Sequence, residues 1–263
     1  MIPFAGAPAW LVAVAAMLAA ATFAIVGARG EERAPALPGI HGSDHRRAVI
    51  ETEWPWRAIG RVNRSGHGFC TGVLVGERQV VTAAHCLWNA ARKAAYAPIT
   101  LHFVAGWSKG TYVADAGVAR ITVAGTPAYT PTVKTYDVAD DWAVLELDAP
   151  IGLTTGWIPL LDGSQAESEL RPGTSLTMAG YNQDVAQALR VDDRCVVERV
   201  VQGGLSFLHT CDGTRGVSGG PLLVRIGGAY RVAGLLIGVE KNGISVAISA
   251  KALPALGLGE RRQ

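Results

Sequence analysis

The sequence predicts an all-β fold, a barrel or sandwich built in two similar halves, and three observations carry that expectation. From Trp54 onward, short apolar runs rich in β-branched residues alternate with turn residues, as in Gly72-Val73-Leu74-Val75 and Ala143-Val144-Leu145-Glu146-Leu147. Runs of this length bounded by turn signals read as strands. The 263 residues include 32 glycines, which let a chain reverse within a few positions. No long stretch carries a helical period. A turn or two of helix is expected within Ala83–Ala95 and a short helix after Ser249.

At the N-terminus, Leu11 to Val26 are almost entirely apolar, and no charged side chain precedes Arg29. This reads as an export signal, residues 1–28, with Val26-Gly27-Ala28 as a small-residue cleavage site. The run is also long enough to span a bilayer if it stays uncleaved, the one way this chain would be tied to a membrane. The remainder is then secreted or periplasmic in the first case, and anchored outside the cytoplasm in the second. Residues 29–47 are rich in Pro, Gly and charge and read as a flexible leader, with Arg46-Arg47 as a processing site before Ala48. Strands are expected at Gln79–Val81, Ile99–Val104 and Ala143–Leu147. The second half repeats the style at Ser175–Met178, Arg194–Val201, Pro221–Val224, Arg231–Ile237 and Ile244–Ile248. A boundary near Pro150–Pro159 divides the folded part into 48–155 and 156–263, with no sequence repeat between them.

The chain is 49% hydrophobic and 17% charged, enough apolar surface for a core and too much for a disordered segment. Its net charge is +2 and no Lys/Arg block stands out, so nothing points to nucleic acid. The four cysteines, Cys70, Cys86, Cys195 and Cys211, suit an oxidising compartment. They allow three pairings, and spacing alone does not choose. The close pairs Cys70–Cys86 and Cys195–Cys211 are the economical expectation. No Cys-x-x-Cys occurs. His41 and His45 lie in the leader, and His67, His102 and His209 lack metal-ligand spacing. No metal or other cofactor is expected.

Three segments bring together the parts of a hydrolytic site. A hydroxyl needs a base to take its proton, a group to orient that base, and donors for the oxyanion that forms. Thr82-Ala83-Ala84-His85-Cys86 sets an imidazole at the end of an apolar strand. Asp140-Asp141-Trp142 sets a carboxylate at the mouth of another, with Asp137 and Asp140 competing with Asp141 for the role. Gly216-Val217-Ser218-Gly219-Gly220-Pro221 exposes a serine on a sharp turn, and aims the N–H groups of Gly216 and Ser218 at one spot. Taken singly, the histidine reads as structural, the aspartates as turn caps and the serine as part of an ordinary turn. Together they follow the order His, Asp, Ser.

In that combination Thr82–Cys86, Asp141–Leu147 and Gly216–Pro221 resemble the signature segments of chymotrypsin-like (trypsin-like) serine peptidases. Gly68-Phe69-Cys70-Thr71-Gly72 resembles the strand before the histidine loop, and Pro55-Trp56 the mature N-terminal region. Gly180–Asp184 and His209–Asp212 look like bacterial secreted members. The resemblance covers roughly Ala48–Ala250 and implies two packed antiparallel β-barrels with the active site in the cleft between them. It implies protein or peptide substrates, with Ser218 as nucleophile, His85 as general base and then acid, Asp141 as its orienter, and Gly216 and Ser218 as the oxyanion hole.

The resemblance also implies a specificity pocket. Asp212 stands six residues before Ser218, the offset of trypsin's pocket aspartate, which implies a preference for Arg or Lys on the acyl side of the cleaved bond. The competing expectation is that Asp212 caps a turn. Ile237, Gly238 and Val239 are expected as the apolar opposite wall, with no histidine for a glutamate substrate. Val217 stands where animal enzymes carry the aspartate that receives a new N-terminal amine, so no such activation switch is expected. Two other functions compete. An inactive peptidase-like binding protein would lack one of these groups, and none is missing. A serine esterase would carry Gly-x-Ser-x-Gly and another residue order.

Overall fold

The structure, a computed structural model, describes residues 37–66, 68–124, 138–239 and 244–254. The apolar segment 11–26, the start of the leader, His67 and Asp137 lie outside the described residues. The strands run β1 (Arg47–Ala48), β2 (Ile59–Arg64), β3 (Phe69–Leu74), β4 (Gln79–Ala83), β5 (Trp88–Asn89), β6 (Ala94–Ala95), β7 (Leu101–Ala105), β8 (Ala114–Val123) and β9 (Trp142–Leu147). They continue with β10 (Ser175–Tyr181), β11 (Leu189–Val201), β12 (Ser206–His209), β13 (Pro221–Ile226), β14 (Ala229–Val239) and β15 (Ser245–Ser249).

Two closed antiparallel barrels result. The first closes in the order β2-β3-β4-β9-β8-β7. The second runs β11-β10-β13-β14-β15-β12, and β12 pairs back onto β11 to complete the ring. Read from their first strands, β2 and β10, both rings connect six strands in the same pattern: three successive strands side by side, then three more returning in reverse order. The halves therefore share a topology although they share no sequence repeat. Closure leaves neither ring with an open edge. The apolar runs fill the interiors: Phe103, Leu74 and Leu145 in the first barrel and Phe207, Leu176 and Met178 in the second are all fully buried.

Two short helices, Gly152–Thr155 and Gly163–Glu169, lie in the connection between the barrels. Neither was expected, although Asp162 and Gln165 form a capping box at the start of the second, a start signal present in the sequence. The turn expected after β4 is a 3-10 helix at Ala84–Leu87, and another at Ala250–Ala252 follows β15. Both economical cysteine pairs are bonded. Cys70–Cys86 ties β3 to the turn after β4, and Cys195–Cys211 ties β11 to the segment after β12.

The described part of the expected flexible leader is docked. Arg47 and Ala48 pair with Val191 and Arg190 of β11. Gly213 N–H donates to the Gly39 carbonyl at 2.9 Å. Arg46 donates to Asp44 at 2.8 Å and to Asp184 at 2.7 Å. Its charge is opposed by burial, but the two carboxylates outweigh that and raise its pKa. The same contact with Arg46 holds Asp184 down to about 2. Composition alone missed this strap because its partners lie far along the chain.

Candidate active site

The site forms where the two barrels meet, and one threonine of β3 carries much of that junction. Thr71 is fully buried. Its N–H donates to the Ser218 carbonyl at 2.9 Å, and its hydroxyl donates to the Gly216 carbonyl at 3.0 Å. That hydroxyl also accepts from Tyr181 N–H at 2.9 Å, while the Thr71 carbonyl accepts from the Thr82 hydroxyl at 2.7 Å. A serine on the second barrel is thereby fixed beside a histidine on the first. In the sequence Thr71 reads only as a strand residue, because its partners across the junction are more than a hundred positions away.

His85 sits on the 3-10 turn after β4, with its neighbour Cys86 bonded to Cys70. Asp141 precedes β9, which pairs with β4 so that Ala83 lies opposite Trp142. The register brings the two together. Asp141 accepts from His85 N–H at 2.8 Å through one oxygen, and its other oxygen lies 2.7 Å from His85 Nδ1. Asp141 is fully buried and His85 partly exposed, whereas Asp140 is exposed. An imidazole that gives its Nδ1 proton to a carboxylate presents a bare Nε2 to the other side.

Ser218 and His85 line one cleft of about 380 Å³, together with Gly216 and Cys70. The Ser218 loop is tightly folded. Val217 N–H donates to Thr214, Gly219 N–H to Leu236 and Gly220 N–H to Val217. Among the described residues the N–H groups of Gly216 and Ser218 meet no protein acceptor. Two turns here require glycine. Gly216 has φ +97° and Gly219 has φ +79°. A Cβ on Gly219 would come within 2.2 Å of the Thr82 hydroxyl and 2.4 Å of the Thr71 carbonyl. Val217 is buried against Gly180 and Gly213, so a side chain at this position packs and holds no charge.

Asp212 lies apart from the cleft lining. It is fully buried, one oxygen accepts from His41 N–H at 2.7 Å, and the other accepts from His45 N–H at 2.9 Å. The carboxylate serves as the anchor of the strap. Ile237 is buried on β14, and open space lies where a Cβ on Gly238 would project; Val239 continues that strand. Ligand atoms of Cys70, His85 and Cys86 lie within 4.8 Å of one another. The two sulfurs are bonded to each other, so this group offers no thiolate to a metal.

The family model for trypsin matches residues 45–252. The chain belongs to the trypsin family. Within this family of serine peptidases, a glutamyl endopeptidase of Bacillus licheniformis is 28% identical over 163 residues, which are 59% of this chain and 48% of that protein. The chain thus matches about half the length of that curated relative. A solved structure of a Glu endopeptidase in complex with MPD aligns over 81% of this chain and 94% of its own, at 23% identity and a TM-score of 0.67. That likeness shows the two-barrel fold.

Proposed function

We propose that this chain is an exported serine endopeptidase in which His85, Asp141 and Ser218 act as a catalytic triad. The observation that carries the reading is His85, held from behind by the buried Asp141, in one cleft with Ser218 and beside the unengaged N–H groups of Gly216 and Ser218. Ser218 Oγ attacks the scissile carbonyl and its proton passes to His85 Nε2. The carbonyl oxygen takes the negative charge and is held by the two N–H groups. Collapse of this intermediate breaks the C–N bond, and His85 gives its proton to the leaving amine. Water then hydrolyses the acyl-enzyme by the reverse proton path. Asp141 keeps the imidazole oriented and stabilises its cation. Two disulfides suit an oxidising compartment, which supports export.

Basic acyl-side specificity was expected from Asp212. With both oxygens engaged by the strap, that carboxylate is a poor partner for a substrate side chain and supports no Arg or Lys preference. Comparing Arg, Phe and Glu at that position in one peptide series should find Arg no faster than Phe; a strong Arg preference lost in Asp212→Ser would restore the pocket role. Ser218→Ala and His85→Ala should each lower turnover by about a million-fold. Near wild-type peptide hydrolysis by either purified, folded variant would sink the triad assignment.

A further inference from the structure

The cleft that holds Ser218 and His85 has a charge the triad does not use. Among the nine described residues that line it, Arg64 and Arg215 are basic and none is acidic. Neither guanidinium has a carboxylate partner among the described residues. Arg64 reaches only the carbonyls of Cys86 at 3.3 Å and Phe69 at 3.5 Å, and lies over the Tyr96 ring. Arg215 is exposed, and its carbonyl is gripped by Gln183 N–H at 2.6 Å. Asp184 directly follows the lining residue Gln183, but Arg46 and the Thr214 hydroxyl already engage it, and Asp212, three residues before Arg215, is engaged by the strap. Arg61, which likewise has no carboxylate partner among the described residues, stacks on the Phe69 ring at 4.0 Å and adds a third cation beside it.

The direction of the cleft follows from the proposed chemistry. His85 protonates the departing amine, so the chain after the scissile bond leaves on the histidine side of Ser218. That side is walled by the Cys70–Cys86 disulfide and Phe69, and it is the wall that carries Arg64. We propose that Arg64 and Arg215 are specificity-determining residues that select acidic side chains in the first residues after the cleaved bond. The inference rests on the peptidase reading. A carboxylate entering this cleft gains charge-assisted hydrogen bonds from two cations that have no carboxylate partner among the described residues to give up, whereas a lysine there meets like charge.

The test is a peptide series with the acyl side held constant and the first two leaving-side residues set to Glu, Ala or Lys, run beside a small ester with no leaving-side residues. At low ionic strength kcat/KM for the Glu peptides should exceed that for the Lys peptides by about fivefold or more, and the ratio should shrink as salt is added. Arg215→Glu, a change at an exposed position, should reverse the order, and Arg215→Lys should keep it. Ester turnover by the wild type with no discrimination among the peptides overturns the inference and leaves the peptidase reading standing. So does an acid preference confined to the acyl side, or an unchanged order in Arg215→Glu. Absence of turnover on both substrates overturns the two together.

Discussion

Thr71 shows how much a single buried hydroxyl can hold. It donates to Gly216 and accepts from Tyr181, so Thr71→Val keeps the shape and strands both partners. A buried polar group left unpaired costs about 1–3 kcal/mol. Thr71→Val should therefore lower the denaturation midpoint and slow turnover, because the freed Gly216–Ser218 turn is the one proposed to present the oxyanion donors. Thermal unfolding and steady-state kinetics on the same preparation check both; unchanged turnover in a destabilised protein would confine Thr71 to stability. Asp141→Asn should cost about ten-thousand-fold by setting the wrong histidine tautomer, while Asp140→Asn, at an exposed position, should cost little. The sequence left that choice open, because two adjacent aspartates differ only in which one the turn buries. Ser218 and His85 were legible as residue types in a telling order, and Thr71 was not, because nothing local marks it.

The strap 37–48 is the element that most changes expectation. A flexible leader implies that a chain beginning shortly before Ala48 loses nothing. The docked strap implies otherwise: without His41 and His45, Asp212 loses both of the backbone donors that its buried carboxylate accepts from in the intact fold. A chain beginning at Leu37 should match the full-length protein in stability, and one beginning at Ala48 should unfold more easily and lose activity; equal denaturation midpoints for the two would refute the clasp. The strap should also loosen in acid. Arg46 lowers Asp184 from the ordinary 3.8 to about 2. A depressed carboxylate stabilises the fold above its unfolded pKa, and that contribution fades as pH falls from about 4 towards 2. Limited proteolysis after Arg46 or Arg47 across that window should rise, and Arg46→Gln should be cut readily at neutral pH.

At the scale of the described fold, two barrels of one topology meet at a seam, and the seam holds the candidate site. Their stability should respond to acid through His209, which is fully buried in β12 with its pKa lowered from 6.5 to about 3, by desolvation and then by His41. Between those values the unfolded chain takes up a proton that the folded one refuses, so stability falls as pH falls through the window. Urea midpoints measured from pH 7 to 3 should drop, and His209→Leu should flatten the drop; parallel curves would remove His209 from the account. The strand-rich class and the segments bearing His85, Asp141 and Ser218 were legible in the chain itself, because strand propensity, turn chemistry and short loops are local properties, whereas the cysteine pairing was one of three the sequence allowed and is settled by the fold. Tertiary structure alone decided that Thr71 joins the barrels, that Asp212 anchors the strap, and that Arg64 and Arg215 share the cleft with Ser218. Those facts depend on contacts between residues tens to more than a hundred positions apart, and the geometry of barrel packing that makes them leaves no periodic mark in the sequence.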